Sequence, residues 1–141
     1  MSAASLPRSF LDTNILIYAD DKRNPGKQAK AIEIISELMR QRAGVVSMQV
    51  LQEYFSAVTR KLSVDAAIAR RKIEFFAQFD VAEPKVTDLL TAIDLHRIHG
   101  LAFWDALIVH AAQQSDCRIL YSEDMQHNRL IDKVEIVNPF L

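Results

Sequence analysis

The sequence predicts an α/β fold in which a parallel sheet is sandwiched between layers of helix. Short runs with an apolar centre at residues 9–12, 45–46, 118–121 and 134–137 alternate with longer segments whose apolar residues recur every three or four positions. That alternation marks strands joined through helices rather than through hairpins. Only three glycines and four prolines punctuate 141 residues, which favours a compact, helix-rich chain. Half of the residues are hydrophobic, enough to bury a core in one domain over 1–141, with 1–7 expected as a flexible N-terminal tail.

Each element has a local reason. Ser9-Phe10-Leu11-Asp12 reads as a short buried strand, followed by helical turns over 13–19. A longer helix is expected over 25–42: Pro25 suits the first helical position, and Ala31, Ile34, Ile35 and Leu38 recur at helical steps. Gly44 punctuates, Val45-Val46 forms the next strand, and Ser47 can cap a helix carrying Val50, Leu51, Tyr54, Phe55 and Val58. A helix over 64–79 carries Ile68, Ile73, Phe76 and Phe79, and a short extended piece over 80–83 stops at Pro84. Thr87 reads as the N-cap of a helix over 88–99, which ends at Gly100, where the chain can turn left-handed. Residues 104–113 are helical, and 118–121 and 134–137 close the chain as strands joined by a helical or irregular link.

Seventeen basic and eighteen acidic side chains leave a formal net charge of −1, so any attraction for nucleic acid must come from local patches. Lys22, Arg23, Lys27 and Lys30, Arg60 and Lys61, and Arg70, Arg71 and Lys72 form such runs, which also suit solvated helix faces. No apolar run approaches the roughly 20 residues of a membrane span. Residues 1–8 lack the apolar centre of a secretory signal, so a cytoplasmic location is expected. Cys117 stands alone, which excludes an intrachain disulfide and a multi-thiolate metal site and fits a reducing compartment.

Ligands bind outside the carboxyl ends of parallel strands, which directs attention to acids there. Asp12 ends the first strand, Asp124 follows Tyr121 by three residues, and Glu53 lies in the second turn of the helix leaving Val45-Val46. Asp105 opens a helix whose buried face carries Ile108, Val109 and Ala112, so its carboxylate starts that face. An ionised carboxylate on an apolar face costs several kcal/mol unless partnered. Clustered carboxylates repel one another and are stable at neutral pH when a hard cation joins them. Oxygen-only ligands point to Mg²⁺ or Mn²⁺, since none of His96, His99, His110 and His127 has a convincing ligand partner for zinc. The plainer reading stays open at this point: Asp12, Asp105 and Asp124 as helix caps or first-turn acids, and Glu53 as a surface residue.

Three segments carry a family resemblance: Phe10-Leu11-Asp12-Thr13-Asn14-Ile15-Leu16-Ile17-Tyr18, Leu101-Ala102-Phe103-Trp104-Asp105-Ala106-Leu107-Ile108-Val109 and Leu120-Tyr121-Ser122-Glu123-Asp124-Met125-Gln126. Together they resemble the PIN-domain family, and within it the VapC-type toxins. Gln49-Val50-Leu51-Gln52-Glu53-Tyr54 fills the place of the second acidic motif. The resemblance implies a PIN-like three-layer fold with a parallel sheet of four or five strands, and an acidic pocket binding one or two Mg²⁺ or Mn²⁺ ions. It implies an endoribonuclease that hydrolyses RNA phosphodiester bonds with a metal-activated water. Asp12, Glu53 and Asp105 match the three core acids and Asp124 the fourth, with Glu123 beside it as a possible substitute. Thr13 and Asn14 match the polar residues after the first acid, where a hydrogen bond to a carboxylate is expected, and Ser122 could supply another or cap a helix.

The resemblance further implies a homodimer held inactive by a small antitoxin. Aromatic and apolar residues on two helices, Leu51, Tyr54, Phe55 and Val58 and then Phe75, Phe76 and Phe79, exceed what one core face needs and could form the antitoxin interface or belong wholly to the core. Trp104 could stack on an RNA base, a buried helix-start tryptophan being the commoner outcome. Three competing readings remain. A PIN-fold module that binds RNA or protein without cutting would be expected to have lost one of the four acids. An aspartyl phosphotransferase of the haloacid-dehalogenase kind needs an Asp where Asn14 stands, and a receiver-type domain needs a lysine after the strand ending at Tyr121, where none stands.

Overall fold

Strands that are apolar on both faces need helix on both sides, and the chain supplies it. A computed structural model describes residues 4–141. In chain order it contains β1 (Ser9–Leu11), α1 (Thr13–Tyr18), α2 (Pro25–Gln41), β2 (Gly44–Ser47), α3 (Met48–Lys61) and α4 (Ala66–Phe76). These are followed by β3 (Asp80–Ala82), α5 (Val86–His99), α6 (Phe103–Gln114), β4 (Ile119–Tyr121), β5 (Leu130–Ile131) and β6 (Val134–Val137). Phe10, Leu11, Val45, Val46 and Leu120 are fully buried at the centre of the sheet. α1 packs on α2 and α3, α3 on α4, and α5 on α6.

The sheet runs β3-β2-β1-β4-β6-β5. Its first five strands are parallel, within the expected four or five, and β5 adds an antiparallel sixth at the edge of β6. Leu130–Ile131 was not foreseen, and the link before it, expected as helical or irregular, contains no helix. From β1 the chain moves outward to β2 and β3, then crosses to β4 on the other side of β1. The strand order therefore reverses between β1 and β4, and a crevice opens at their carboxyl ends.

Other boundaries moved for identifiable reasons. The helix expected over 64–79 is shorter because Asp65 caps it through Ala67 N at 3.0 Å, and the chain turns after Phe76. Thr87 is not the cap of α5: Asp88 Oδ2 accepts from Lys85 N at 2.8 Å, which makes Lys85 the N-cap and starts the helix at Val86. Gly100 closes α5 at φ 68°, as its position suggested. Gly44 is required by packing, since a Cβ there would run into the Phe79 ring. Of the expected tail, residues 1–3 lie outside the described residues. Residues 4–7 run beside α2, where the Gln41 side chain accepts from Leu6 N at 2.7 Å and donates to Ala4 O at 3.2 Å. No helix among the described residues is long and apolar enough to cross a membrane.

Candidate active site

Asp12 leaves β1 directly at the crevice. Its backbone N–H donates to Tyr121 O at 3.0 Å, continuing the β1–β4 ladder by one residue, and its side chain caps α1. The carboxylate is only 7% exposed and accepts from Thr13 N and Ser122 Oγ, both at 2.7 Å. Burial is the largest influence on it and raises its pKa. The Ser122 and Thr13 bonds oppose that rise, and the charges of Asp124 and Glu53 add to it, leaving the carboxyl at about 6.

The other three acids surround Asp12 from separate elements. Glu53 is exposed on α3, where Thr13 Oγ1 donates to one carboxylate oxygen at 3.3 Å and Gln49 Nε2 to the other at 2.6 Å. Asp124 is exposed beyond β4 and accepts from Asn14 Nδ2 at 2.9 Å, while its backbone N–H donates to Ser122 Oγ at 3.2 Å. Asp105 is half-buried in the first turn of α6. Burial raises its pKa, and Asp124 and Glu53 raise it further. Among the described residues its carboxylate accepts no hydrogen bond. Glu53 and Asp124 thus act on both Asp12 and Asp105, so the four acids expected from the sequence share one local field.

Glu123 is turned away from this cluster. Tyr18 OH and Lys27 Nζ both donate to its carboxylate, and Lys27 lies over the rings of Tyr18 and Phe140. Burial works to raise Glu123, and the Lys27 and Tyr18 bonds outweigh it, so the carboxyl lies below its ordinary range. Its backbone still serves the site, because Glu123 N donates to Asn14 Oδ1 at 3.3 Å. Asn14 therefore ties both residues that follow Ser122. Ser122 is fully buried and bonds Asp12 rather than capping a helix, and none follows it.

From sequence, Gln49 has no role of its own and Lys27 stands only in a basic run. Gln49 orients Glu53 from one helical turn away, and the spacing of four residues was the signal for it. Lys27 reaches Glu123 across 96 positions, and nothing local signals that. A groove of about 910 Å³ opens between the start of α3, the loop before α5, and α6; none of the four acids lines it, and it adjoins them through Gln49, which bonds Glu53. Trp104, which lines the groove, is 66% exposed, contrary to the commoner outcome for a helix-start tryptophan.

The donor set is all oxygen and carries excess negative charge, which suits a hard divalent cation rather than zinc. Among the described residues no three His, Cys, Asp or Glu side chains already stand at the spacing of a closed coordination shell. None of the four clustered acids pairs with a Lys or Arg among the described residues.

The PIN domain model matches residues 9–133 of the chain. Among solved structures, a chain of a toxin–antitoxin complex from Klebsiella pneumoniae superimposes with a TM-score of 0.69 at 18% identity, covering 93% of this chain and 97% of that one. Mycobacterium tuberculosis VapC20, described as a sarcin–ricin-loop-cleaving toxin, gives 0.62 at 18% identity over 82% of this chain and 89% of that one. A chain of VapBC2 from Rickettsia felis, solved with a DNA fragment from its promoter, gives 0.64 at 17% identity over 91% and 96%. At such identities the likeness is one of fold. No curated protein matches the sequence significantly.

Proposed function

The chain belongs to the PIN domain family, and we propose that it is an endoribonuclease dependent on Mg²⁺ or Mn²⁺, acting as the toxin of a toxin–antitoxin pair. The observation that carries this reading is the convergence of Asp12, Glu53, Asp105 and Asp124 at the strand-order reversal, with a buried Asp12 pushed up to about 6. Such a cluster is costly without a cation, and these four carboxylates would hold one or two. Bound there, the ion would supply Lewis acidity to activate a water at neutral pH and to neutralise charge on the phosphate.

The chain's own groups do the rest. Ser122 Oγ and Thr13 N fix the Asp12 carboxylate from two sides. Asn14 and Gln49 hold Asp124 and Glu53 through neutral amides, which orient the carboxylates without discharging them. Asp105, with no hydrogen bond to satisfy it among the described residues, is the acid free to orient the attacking water for in-line displacement at a backbone phosphate.

The toxin assignment is supported by the toxin–antitoxin complexes among the fold neighbours. Of the residues expected at an antitoxin interface, Leu51, Tyr54, Val58, Phe76 and Phe79 are buried in the core, while Phe55 and Phe75 remain exposed for a partner. A second copy pairing with this one would cover the exposed Val86, Leu89, Leu90 and Ile93 of α5. Action on RNA would take place in the cytoplasm, where Cys117 stays reduced.

The test is cleavage of a mixed RNA pool by purified protein in Mg²⁺, Mn²⁺ or EDTA, beside an Asp12→Asn/Asp105→Asn variant of unchanged fold. Cleavage lost in EDTA and in the variant supports the assignment. Cleavage that persists in either sinks the metal mechanism. No cleavage of any RNA, with cation binding intact, would point to a PIN-fold binding module.

A further inference from the structure

The groove beside the acids carries features that the cleavage chemistry leaves unused. Two of its residues connect it to the cluster: Gln49, which bonds Glu53, and Trp104, which immediately precedes Asp105. Trp104 stands out from the start of α6 with Phe103 against it edge-on, the ring centroids 5.0 Å apart at 69°. One side of the indole is thus supported while most of its surface faces water. That exposed aromatic face is available for a flat ring to stack on.

The chemistry around the indole narrows what that ring is. Lys85 lines the groove, is exposed, and has no ion-pair partner among the described residues. Gln52 presents an exposed amide from α3. Asp88 also lines the groove, but its carboxylate is already engaged by Lys85 N at 2.8 Å and His110 Nε2 at 2.9 Å, so of the lining acids only Glu83 is unengaged. An aromatic plate, an amide and an unpaired cation beside a phosphodiester-cleaving centre are what an unpaired nucleotide needs for its base face, base edge and phosphate. A volume of about 910 Å³ exceeds what one base requires. Duplex RNA does not fit this chemistry, because its bases are already stacked on one another.

Resting on the ribonuclease reading, we propose that this groove is a subsite for single-stranded RNA, in which an unpaired base flanking the cut phosphate stacks on Trp104 while Lys85 pairs with a neighbouring phosphate. Gln52 faces the edge of that base. The subsite sets which nucleotide is placed beside the scissile bond, and so contributes to the choice of RNA.

Trp104 is the sole tryptophan, so its fluorescence reports on the groove with no cleavage required. The protein is titrated in EDTA with a single-stranded oligoribonucleotide, with the same strand annealed in a duplex, and with inorganic polyphosphate. The single strand is expected to quench strongly, the duplex weakly and polyphosphate not at all. Followed by anisotropy of a labelled strand, Trp104→Ala weakens binding on the order of tenfold and Trp104→Phe much less. Lys85→Gln weakens binding and lowers its salt dependence by about one phosphate contact.

RNA binding with unchanged emission, and equal affinity in Trp104→Ala, would overturn the proposal. So would an emission shift that follows protein concentration without RNA, together with a dimer in sedimentation that Trp104→Ala abolishes, because the groove would then belong to a second copy. The two readings fail separately. Quenching in EDTA by a protein that cuts no RNA in Mg²⁺ leaves the subsite and removes the nuclease. Cleavage that Trp104→Ala leaves unchanged, with no quenching, leaves the nuclease and removes the subsite.

Discussion

Replacing Asp12 by Asn measures the strain that the carboxylate cluster builds into the fold. A solvated aspartate titrates at 3.8, whereas Asp12 does so at about 6, chiefly because it is buried and 7% exposed. Each tenfold change in proton affinity is about 1.4 kcal/mol, so the Asp12 anion costs the cation-free fold about 3 kcal/mol. The sign follows from proton counting. Between pH 3.8 and 6 the folded chain binds the proton more tightly than the unfolded chain, so this group's contribution is fully present below 3.8 and is lost as pH rises through 6. Asn keeps the shape and lets Thr13 N donate as before, but it gives Ser122 Oγ an NH₂ group in place of an acceptor, a loss of about 1 kcal/mol. The net expectation at pH 8 in EDTA is that Asp12→Asn is more stable by about 2 kcal/mol, or about 7 °C in Tm. The assay is urea and thermal unfolding by circular dichroism from pH 4 to 8. A variant less stable than the parent at pH 8, or an advantage as large at pH 4 as at pH 8, would refute the reasoning.

Addition of Mg²⁺ or Mn²⁺ should raise the Tm of the parent and leave Asp12→Asn/Asp105→Asn unmoved; at a hundredfold excess over Kd the parent gains about 2.7 kcal/mol, read by calorimetry. Asp124→Asn should lower RNA cleavage by about 100-fold while Glu123→Gln leaves it within a few-fold, because Glu123 is held by Lys27 and Tyr18 away from the other acids. The reverse ranking in a cleavage assay would reassign the fourth acid. Gly44→Ala should destabilise by about 1–3 kcal/mol in chemical unfolding, and a second change, Phe79→Leu, should restore part of the loss by making room for the Cβ.

The parts of the site legible in the sequence are those fixed by local pattern. Asp12 could be placed because a short buried strand ends directly before it, and Glu53 because the capping Ser47 fixes the start of α3. Other features depend on pairings that no local pattern records. Leu130–Ile131 is two residues long with Leu130 mostly exposed, so it carries no strand periodicity, and only its antiparallel pairing with β6 makes it a strand. Thr87 competed for the cap of α5 on residue type, but Asp88 reaches back to Lys85 N and sets the start two residues earlier. Trp104 was harder still. Ala106, Ile108 and Val109 define the buried face of α6, and at about 100° per residue the position before Asp105 falls outside it, where residue type alone would place a tryptophan inside.

The contrast between Glu123 and its neighbour Asp124 shows how the cluster keeps its negative charge. Lys27 satisfies Glu123 with charge, and that carboxyl sits below its ordinary range, a settled ion pair with no need of another cation. Asp124 and Glu53 receive amides instead, from Asn14 and Gln49, which fix direction while leaving the negative charge in place. That residual charge is what raises Asp12 and Asp105 after burial has done so. Neutral partners around the cluster and a lysine one residue away therefore work together. The lysine takes the one acid that would crowd the site, and the amides leave Asp124 and Glu53 with their charge uncompensated. The cost is carried by a sheet whose inner strands β1 and β2 are buried along their whole length, so a site that opposes folding is built where the fold is most securely packed.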